Sequence, residues 1–170
     1  MSSTHDSNEL DWYALKVRTR SEADLGKALT LRGYEVFVPQ YLEARQYSDR
    51  VKKVWVALFP GYLFARLDPA LCITALKTPG VEYVVGGHEQ PTPVDATEIA
   101  AVRQIVDSGA QTQPWAYLKT GSKVRVEFGA FAGVEGIYTA EKGQDRLIVS
   151  ITLLQRSVAV EIDRTWIRPV

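Results

Sequence analysis

The chain has 170 residues, 46% of them hydrophobic, and its 20 basic and 20 acidic side chains give a net charge of zero. This length allows one or two hydrophobic cores, and the lack of a basic excess argues against a dedicated duplex DNA-binding protein, which must neutralise phosphates. The single Cys72 excludes an internal disulfide, and two histidines, His5 and His88, are too few for a typical zinc site. We therefore expect a cytoplasmic protein without a metal or another cofactor.

Membrane insertion is not indicated by the sequence. No apolar run approaches the roughly 18 residues that a membrane span needs. The segment from Met1 to Asn8 is polar and precedes no hydrophobic stretch, which argues against a signal peptide and predicts a disordered tail over residues 1–9.

The first predicted elements are a strand and a helix. From Trp12 to Arg18 the side chains alternate as in a strand. Ser21 is placed to cap a following helix, and Glu22 lies in the first turn, where the helix dipole favours an acid. Gly33 is suited to end this helix in a left-handed conformation.

A second strand is predicted from Tyr34 to Pro39, and a third from Val54 to Leu67. Between them, the polar segment from Glu43 to Lys53 predicts an exposed hairpin arm or loop. Its basic residues form either a solvated surface or a contact to a nucleic-acid backbone, and they are Arg45, Arg50, Lys52 and Lys53.

The predicted third strand contains the most informative stretch of the chain, Leu58 to Ala65. Pro60 removes a ladder hydrogen bond and Gly61 weakens a strand interior, so both belong at an edge, at a bulge or where another surface comes close. Two interpretations remain open for the neighbouring rings. They form either an aromatic surface offered to a partner or the interior of a bulged core strand, and they are Phe59, Tyr62 and Phe64.

Two further helices and a strand complete the first half. Asp68-Pro69 suits the cap and first position of a helix, and a short strand is predicted from Val81 to Val85. In the next helix Asp95 is the cap, and Glu98 stands three residues later as in a capping box. The order strand-helix-strand-strand-helix-strand predicts an α+β fold of the split βαβ type, an antiparallel sheet with helices against one face. The other face is then partly free for a partner.

The composition changes near residue 110. Ser108 to Pro114 has the small, polar composition of a linker, so we predict a first domain over residues 10–107, a linker over 108–117 and a second domain over 118–170. Short strand patterns between glycine turns predict a small all-β barrel there. The strict alternation from Lys123 to Phe128 predicts that three side chains face inside, Val124, Val126 and Phe128.

These motifs together resemble the NusG family of transcription elongation and antitermination factors. The matching segments are Trp12-Tyr13, Phe59 to Tyr62, Pro79 to Val81, Gly121 to Val126 and Gly129 to Gly136. The sequence from Phe59 to Pro69 is also similar to that of specialised RfaH-like paralogues. The resemblance implies an N-terminal NGN domain that binds RNA polymerase and a C-terminal KOW domain, an SH3-like barrel, that recruits further factors.

The resemblance also implies contacts with RNA polymerase. In the family, an apolar cavity receives the clamp helices of the largest polymerase subunit, and the matching positions here are Trp12, Phe59, Pro60, Tyr62 and Phe64. Because alternate strand residues share a face, Tyr62 and Phe64 should lie together and Leu63 opposite. Thr74 lies near the place where family members touch the other side of the polymerase cleft. An ordinary amphipathic helix is the alternative there.

Two more sites follow from the resemblance. Arg18 and Arg20 match the edge where RfaH-like proteins meet the non-template DNA strand, unless they are ordinary surface arginines. The barrel residues that match a site for Rho or a small-subunit ribosomal protein are Phe131, Leu153 and Leu154. We expect Phe131 and one of the two leucines to be exposed there.

The implied function is that of a monomeric transcription elongation and antitermination factor that bridges the polymerase cleft and suppresses pausing. The alternative is an RNA- or ribosome-binding KOW protein, although eight basic and six acidic side chains from Tyr117 onward argue against strong phosphate binding. No catalytic residues are predicted, because the sequence has no His-centred triad, paired-carboxylate motif or phosphate-binding loop.

Overall fold

The computed structural model describes residues 10–69, 72–87 and 91–170. The predicted tail, residues 1–9, lies outside this description, as do residues 70 and 71 beside the predicted helix start at Asp68-Pro69. The chain divides into two compact units, one formed by Met1–Val38 and Pro60–Val94 and the other by Pro39–Phe59 and Asp95–Val170. None of the helices in the described part has the length and apolar character required to cross a membrane.

Strands and helices alternate in the first part of the chain. They are β1 (Asp11–Val17), α1 (Glu22–Leu31), β2 (Glu35–Phe37), β3 (Gln40–Gln46), β4 (Val51–Ala57), β5 (Tyr62–Leu67), α2 (Cys72–Leu76), β6 (Val81–Val84) and α3 (Ala96–Asp107). Strands and short 3₁₀ turns follow. They are β7 (Thr112–Trp115), β8 (Ser122–Val126), β9 (Glu135–Glu141), β10 (Gln144–Ile151), a turn at Thr152–Leu154, β11 (Arg156–Glu161), a turn at Arg164–Trp166 and β12 (Ile167–Pro169).

The first unit is built on an antiparallel sheet with the strand order β2-β5-β1-β6. One face packs against the helices, because Leu15 and Leu63 share a buried cluster with Leu25 and Leu29 of α1 and with Ala75 of α2. Burial of such aliphatic side chains is the main stabilising contribution to this layer. The predicted split βαβ arrangement is thereby confirmed.

The prediction of one strand from Val54 to Leu67 is wrong. β4 pairs with β3 in a separate two-stranded hairpin, whereas β5 pairs with β1 and β2. Between them the chain turns through Pro60 and Gly61, where Gly61 has a φ of 84° that other residues rarely adopt. The Pro-Gly pair therefore separates two strands instead of bulging one. The polar segment from Glu43 to Lys53 is the outer part of the hairpin, as predicted.

Helix α3 begins at the predicted cap but without the predicted capping box. The Asp95 carboxylate accepts hydrogen bonds from the Thr97 backbone N–H at 2.8 Å and from the Thr97 hydroxyl at 2.6 Å. The Glu98 carboxylate instead accepts from the backbone N–H of Thr152 at 3.1 Å and from its hydroxyl at 2.7 Å. A contact distant in sequence thus replaces the local one that the spacing suggested.

Replacing Asp95 with alanine is expected to lower the free energy of unfolding by about 1 kcal/mol at neutral pH, because a helix cap is lost. The hydrogen bonds from Thr97 lower the pKa of Asp95. Its contribution is therefore complete above the unfolded-state pKa of about 3.9 and is lost as the pH falls through the lower folded-state pKa. Urea denaturation at neutral and at acidic pH measures this. Asp95→Asn should remain stable at both, and an unchanged deficit of Asp95→Ala in acid would contradict the assignment.

The second unit contains a six-stranded antiparallel sheet with the order β12-β8-β9-β10-β11-β7. Its form confirms the predicted small barrel, and Val124 and Val126 are buried as expected. Phe128 is not, since it is 57% exposed. The reason is that β8 ends at Val126 and the chain turns, with the Glu127 N–H donating to the Trp166 carbonyl at 2.7 Å. The alternation therefore ends with Val126 and does not extend to Phe128.

The segment predicted as a linker contains a strand. Thr112 to Trp115 forms β7 and pairs with β11 from Val160 to Ser157. Pro114 is compatible with this position because β7 is the edge of the sheet, where a missing N–H costs little. Tertiary pairing has overridden a composition that favours irregular structure.

Candidate functional site

The first unit has an aromatic face opposite to α1 and α2. In the ladder between β1 and β5, Ala14 pairs with Phe64 and Lys16 pairs with Tyr62, and directly paired residues of antiparallel strands share a face. The alternation places Trp12 there as well, while Leu63 belongs to the helix-side core. The sequence-based placement of Tyr62 and Phe64 on one face, with Leu63 opposite, is confirmed. We call this the aromatic face.

The six candidate polymerase contacts differ in accessibility. Pro60 and Thr74 are exposed and Tyr62 is half-buried. The other three are only 9%, 1% and 0% exposed, and they are Trp12, Phe59 and Phe64. These three rings are therefore buried in this structure and are not accessible to a partner.

The buried rings instead support the accessible residues. The ring of Phe64 lies 6.2 Å from that of Phe37, centroid to centroid, at an interplanar angle of 31°. Packed aromatic pairs of this kind add roughly 0.5–1.5 kcal/mol to the effect of burial. Tyr62 thus lies on a well-packed layer, which lowers the entropy lost when a partner binds it.

Cations flank the aromatic face. The Lys16 ammonium lies 5.7 Å from the centroid of the Tyr62 ring and 3.6 Å from a Glu82 carboxylate oxygen. The Arg66 guanidinium lies 5.8 Å from the centroid of the Trp12 ring. At these distances the cations are attracted to the ring faces. Both cations are also ion-paired, Lys16 with Glu82 and Arg66 with Glu35 at 3.3 Å, so the surface combines a phenol and apolar carbon with paired charges and suits an amphipathic protein segment.

A buried acid fixes the turn before Tyr62, and sequence reasoning missed it. Glu22 is 5% exposed, and its Oε1 atom accepts from the Gly61 N–H at 2.8 Å and from the Arg20 N–H at 3.2 Å. The Gly61 carbonyl in turn accepts from the Val17 N–H at 2.8 Å. Both sides of the turn are therefore held by hydrogen bonds. The sequence predicts an acid here only for the helix dipole, and no local signal names Gly61 as its partner.

Arg18 and Arg20 lie in one exposed turn between β1 and α1. The Arg18 N–H donates to the Gly80 carbonyl at 3.0 Å, and the Arg18 carbonyl accepts from the Ser21 N–H at 3.0 Å. Arg20 has a φ of 72°, in the left-handed region, where a non-glycine residue is held at a cost in energy. The backbone that presents these two arginines is thus tightly constrained.

The barrel candidates are less exposed than the sequence suggests. Phe131 is only 4% exposed, contrary to the expectation of an open ring. It lies in a tight turn that is tied back to β8, because the Gly133 N–H donates to the Val126 carbonyl at 2.7 Å and the Phe131 carbonyl accepts from the Val134 N–H at 3.3 Å. Leu153 and Leu154 are both half-buried. β10 ends at Ile151 and a 3₁₀ turn follows, so the alternation that would separate the two leucines does not apply.

Helix α3 contacts both loops that carry these candidates. Besides the bonds between Glu98 and Thr152, the Gln104 side-chain amide donates to the carbonyls of Ala130 and Ala132 at 3.3 and 3.0 Å. These carbonyls flank Phe131. Sequence reasoning assigned α3 to the first domain, whereas in this structure it belongs to the same compact unit as the barrel.

Known proteins are similar to most of this chain. A family model described as "NusG: Transcription termination factor nusG" matches residues 10–103. The transcription termination/antitermination protein NusG of Helicobacter pylori (strain J99) is 26% identical over 90% of this chain and 94% of its own length. The NusG of Thermus thermophilus is 28% identical over 91% of this chain and 95% of its own length. The NusG of Lactococcus lactis is 30% identical over 79% of this chain and 75% of its own length.

A solved structure supports the fold. The structure described as "Domain interaction in Thermotoga maritima NusG" matches with a TM-score of 0.52 and 19% sequence identity, over 94% of this chain and 97% of its own. At this identity the match is evidence for the architecture alone.

Proposed function

Because the chain belongs to the NusG family of transcription termination/antitermination proteins, we propose that it binds RNA polymerase through the aromatic face and suppresses pausing. The observation that carries this proposal is Tyr62, an accessible ring on a packed aromatic layer, next to exposed Pro60. Aromatic residues in such positions supply large contact areas at low entropic cost and dominate many interfaces.

The proposed partner segment is the pair of clamp helices of the largest polymerase subunit. Exposed Thr74 on α2 supplies the second contact, on the other side of the cleft. A protein that holds both sides favours the closed clamp over the open, paused state, and a ligand shifts such an equilibrium only by its difference in affinity for the two states. A difference of about 1–3 kcal/mol is sufficient for a several-fold effect on pausing.

A contact with non-template DNA belongs to the same proposal. Arg18 and Arg20 share one constrained, exposed turn, and an arginine can stack on an unpaired base or bond its edge. Their fixed backbone favours a defined contact over a diffuse one.

The barrel, residues 118–170 in this proposal, recruits a further factor such as Rho or a small-subunit ribosomal protein, and residues 10–107 form the polymerase-binding module. The accessible part of the recruiting surface consists of Leu153 and Leu154, whereas Phe131 is buried in the turn between β8 and β9. Recruitment tethers the partner near polymerase and raises its local concentration.

Replacing Leu154 with alanine is expected to weaken capture of the recruited factor by about tenfold, because part of an apolar contact is lost. Pause suppression should be unchanged, since polymerase is bound elsewhere. Leu31→Ala is the matched control, because Leu31 is a leucine of α1 that is 89% exposed. Co-precipitation with purified Rho and with the ribosomal protein measures capture. Loss of both activities in Leu154→Ala would argue against separate binding modules.

Binding to purified core RNA polymerase tests the proposed function directly. The full chain should bind polymerase in moderate salt and shorten pauses on several templates, because the contact is largely apolar. An absence of binding would refute the proposal. Salt-sensitive binding to RNA without polymerase would instead favour an RNA- or ribosome-binding protein.

A further inference from the structure

The β3–β4 hairpin has one face of uncovered side chains. Its ladder pairs Leu42 with Trp55 and Ala44 with Lys53, and paired residues lie on the same face. The large apolar residues are well exposed, Trp55 by 63%, Val51 by 60% and Leu42 by 46%. We call this the Trp55 face.

An indole this exposed on a strand is unusual. Tryptophan is highly buried on average, because covering its ring removes a large apolar area from water. Trp55 lacks most of that stabilisation, whereas Trp12 of the same chain is only 9% exposed. An exposed aromatic patch of this kind typically marks an interaction site.

The hairpin also carries positive charge on a chain that is neutral overall. Residues 40–57 contain the acids Glu43 and Asp49 and four exposed basic residues, which are Arg45, Arg50, Lys52 and Lys53. The net charge of this segment is therefore +2.

Two of the basic residues repel each other. Arg45 stands directly opposite Lys52 in the ladder, and like charges in such pairs destabilise a hairpin. Glu43 lies 3.3 Å from Arg45 but both are exposed, so this ion pair offsets little of the repulsion. Arg45 and Lys52 both lie on the face opposite to Trp55, so they raise the positive potential of the hairpin as a whole, and among the cations of β3 and β4 Lys53 is the one on the Trp55 face.

We propose that the Trp55 face binds single-stranded DNA, with a base stacked on the indole of Trp55 and an adjacent phosphate against Lys53. Lys53 lies two residues from Trp55 on the same face, a distance of about 7 Å along the strand, so one nucleotide can contact both. Base stacking on an aromatic ring together with phosphate contacts is the usual basis of binding to unpaired strands.

The occupant is single-stranded because a paired base has both of its ring faces covered in the duplex and cannot stack on Trp55. DNA fits better than RNA because the middle of the Trp55 face is apolar, with Leu42, Ala44 and Val51. These residues offer no partner to a 2′-hydroxyl, the group through which proteins distinguish RNA. The proposal is independent of the polymerase contact, since it concerns the chain alone.

Binding of a labelled oligo-dT strand to the full chain at low salt tests the proposal by fluorescence anisotropy. Trp55→Ala is expected to weaken binding by about tenfold, the scale of one base–aromatic stack. Trp55→Phe, which keeps a smaller ring, should lose only part of the affinity. Thermal unfolding confirms that each variant is folded. Wild-type affinity in Trp55→Ala would overturn the proposal.

Two lysine variants separate a defined face from net charge. Lys53→Gln and Lys52→Gln each remove one charge, but Lys53 lies on the Trp55 face and Lys52 on the opposite face. Lys53→Gln should weaken binding several-fold more than Lys52→Gln. Equal losses would overturn the assignment, because they would reflect charge alone. Equal or tighter binding of oligo-U, or of duplex DNA, at the same length would overturn the choice of ligand.

Discussion

Replacing Tyr62 with alanine is expected to weaken binding to RNA polymerase by about 30-fold or more, the loss typical of a central aromatic contact. Tyr62 is accessible on the aromatic face, while Phe64 beside it on β5 is fully buried. Truncation should therefore remove contact area and leave the supporting layer in place. Titration of labelled chain with core polymerase measures the change, and thermal unfolding shows whether the fold is kept.

Tyr47→Ala is the matched control for this variant. Tyr47 is 43% exposed at the end of the hairpin, so its truncation removes a similar ring away from the aromatic face. Tyr62→Phe separates the ring from its hydroxyl and should retain most of the affinity. If Tyr62→Ala bound polymerase as tightly as Tyr47→Ala, the aromatic face would not be the polymerase contact.

Replacing Glu22 with alanine is expected to lower the free energy of unfolding by about 3 kcal/mol. Hydrogen bonds to a charged acceptor contribute roughly 1.5–3 kcal/mol, and Glu22 accepts from the amides of Gly61 and Arg20. Without the carboxylate, the Gly61 N–H is buried with no acceptor in the native turn, and Arg20 loses a contact that holds its left-handed backbone. Urea denaturation measures the loss.

The neighbouring acid of the same helix provides the comparison. Asp24 also lies in the first turn of α1 but is exposed, so Asp24→Ala should cost only the dipole contribution of about 0.3–1 kcal/mol. Glu22→Gln keeps an oxygen acceptor for Gly61 and should fall between the two. Equal costs for Glu22→Ala and Asp24→Ala would mean that the turn does not depend on this side chain.

Elements with local signals could be predicted from the sequence. β1 follows from its alternation and α3 from its cap at Asp95, because the cause of each structure lies within the segment itself. β7 could not be predicted, because only pairing with β11, some 45 residues away along the chain, makes a strand of Thr112 to Trp115. Pro60-Gly61 was ambiguous for another reason. The same two residues suit a bulge and a turn, and the choice depends on which strands pair.

The candidate sites show the same division. Strand alternation placed Tyr62 and Phe64 on one face correctly. Whether a ring is covered depends on distant residues, so the burial of Phe131 in a loop without periodicity was not predictable. The link between Glu22 and Gly61 spans 39 residues, and only the folded chain reveals it.

The strand β7 shortens the free connection between α3 and the barrel. α3 ends at Asp107 and β7 begins at Thr112, so only residues 108–111 lie between them. Four residues can span at most about 14 Å, whereas a flexible tether over residues 108–117 could span about 35 Å. If the barrel recruits a factor as proposed, the short connection keeps that factor within a short radius of the helix and restricts its angles of approach as well as its distance.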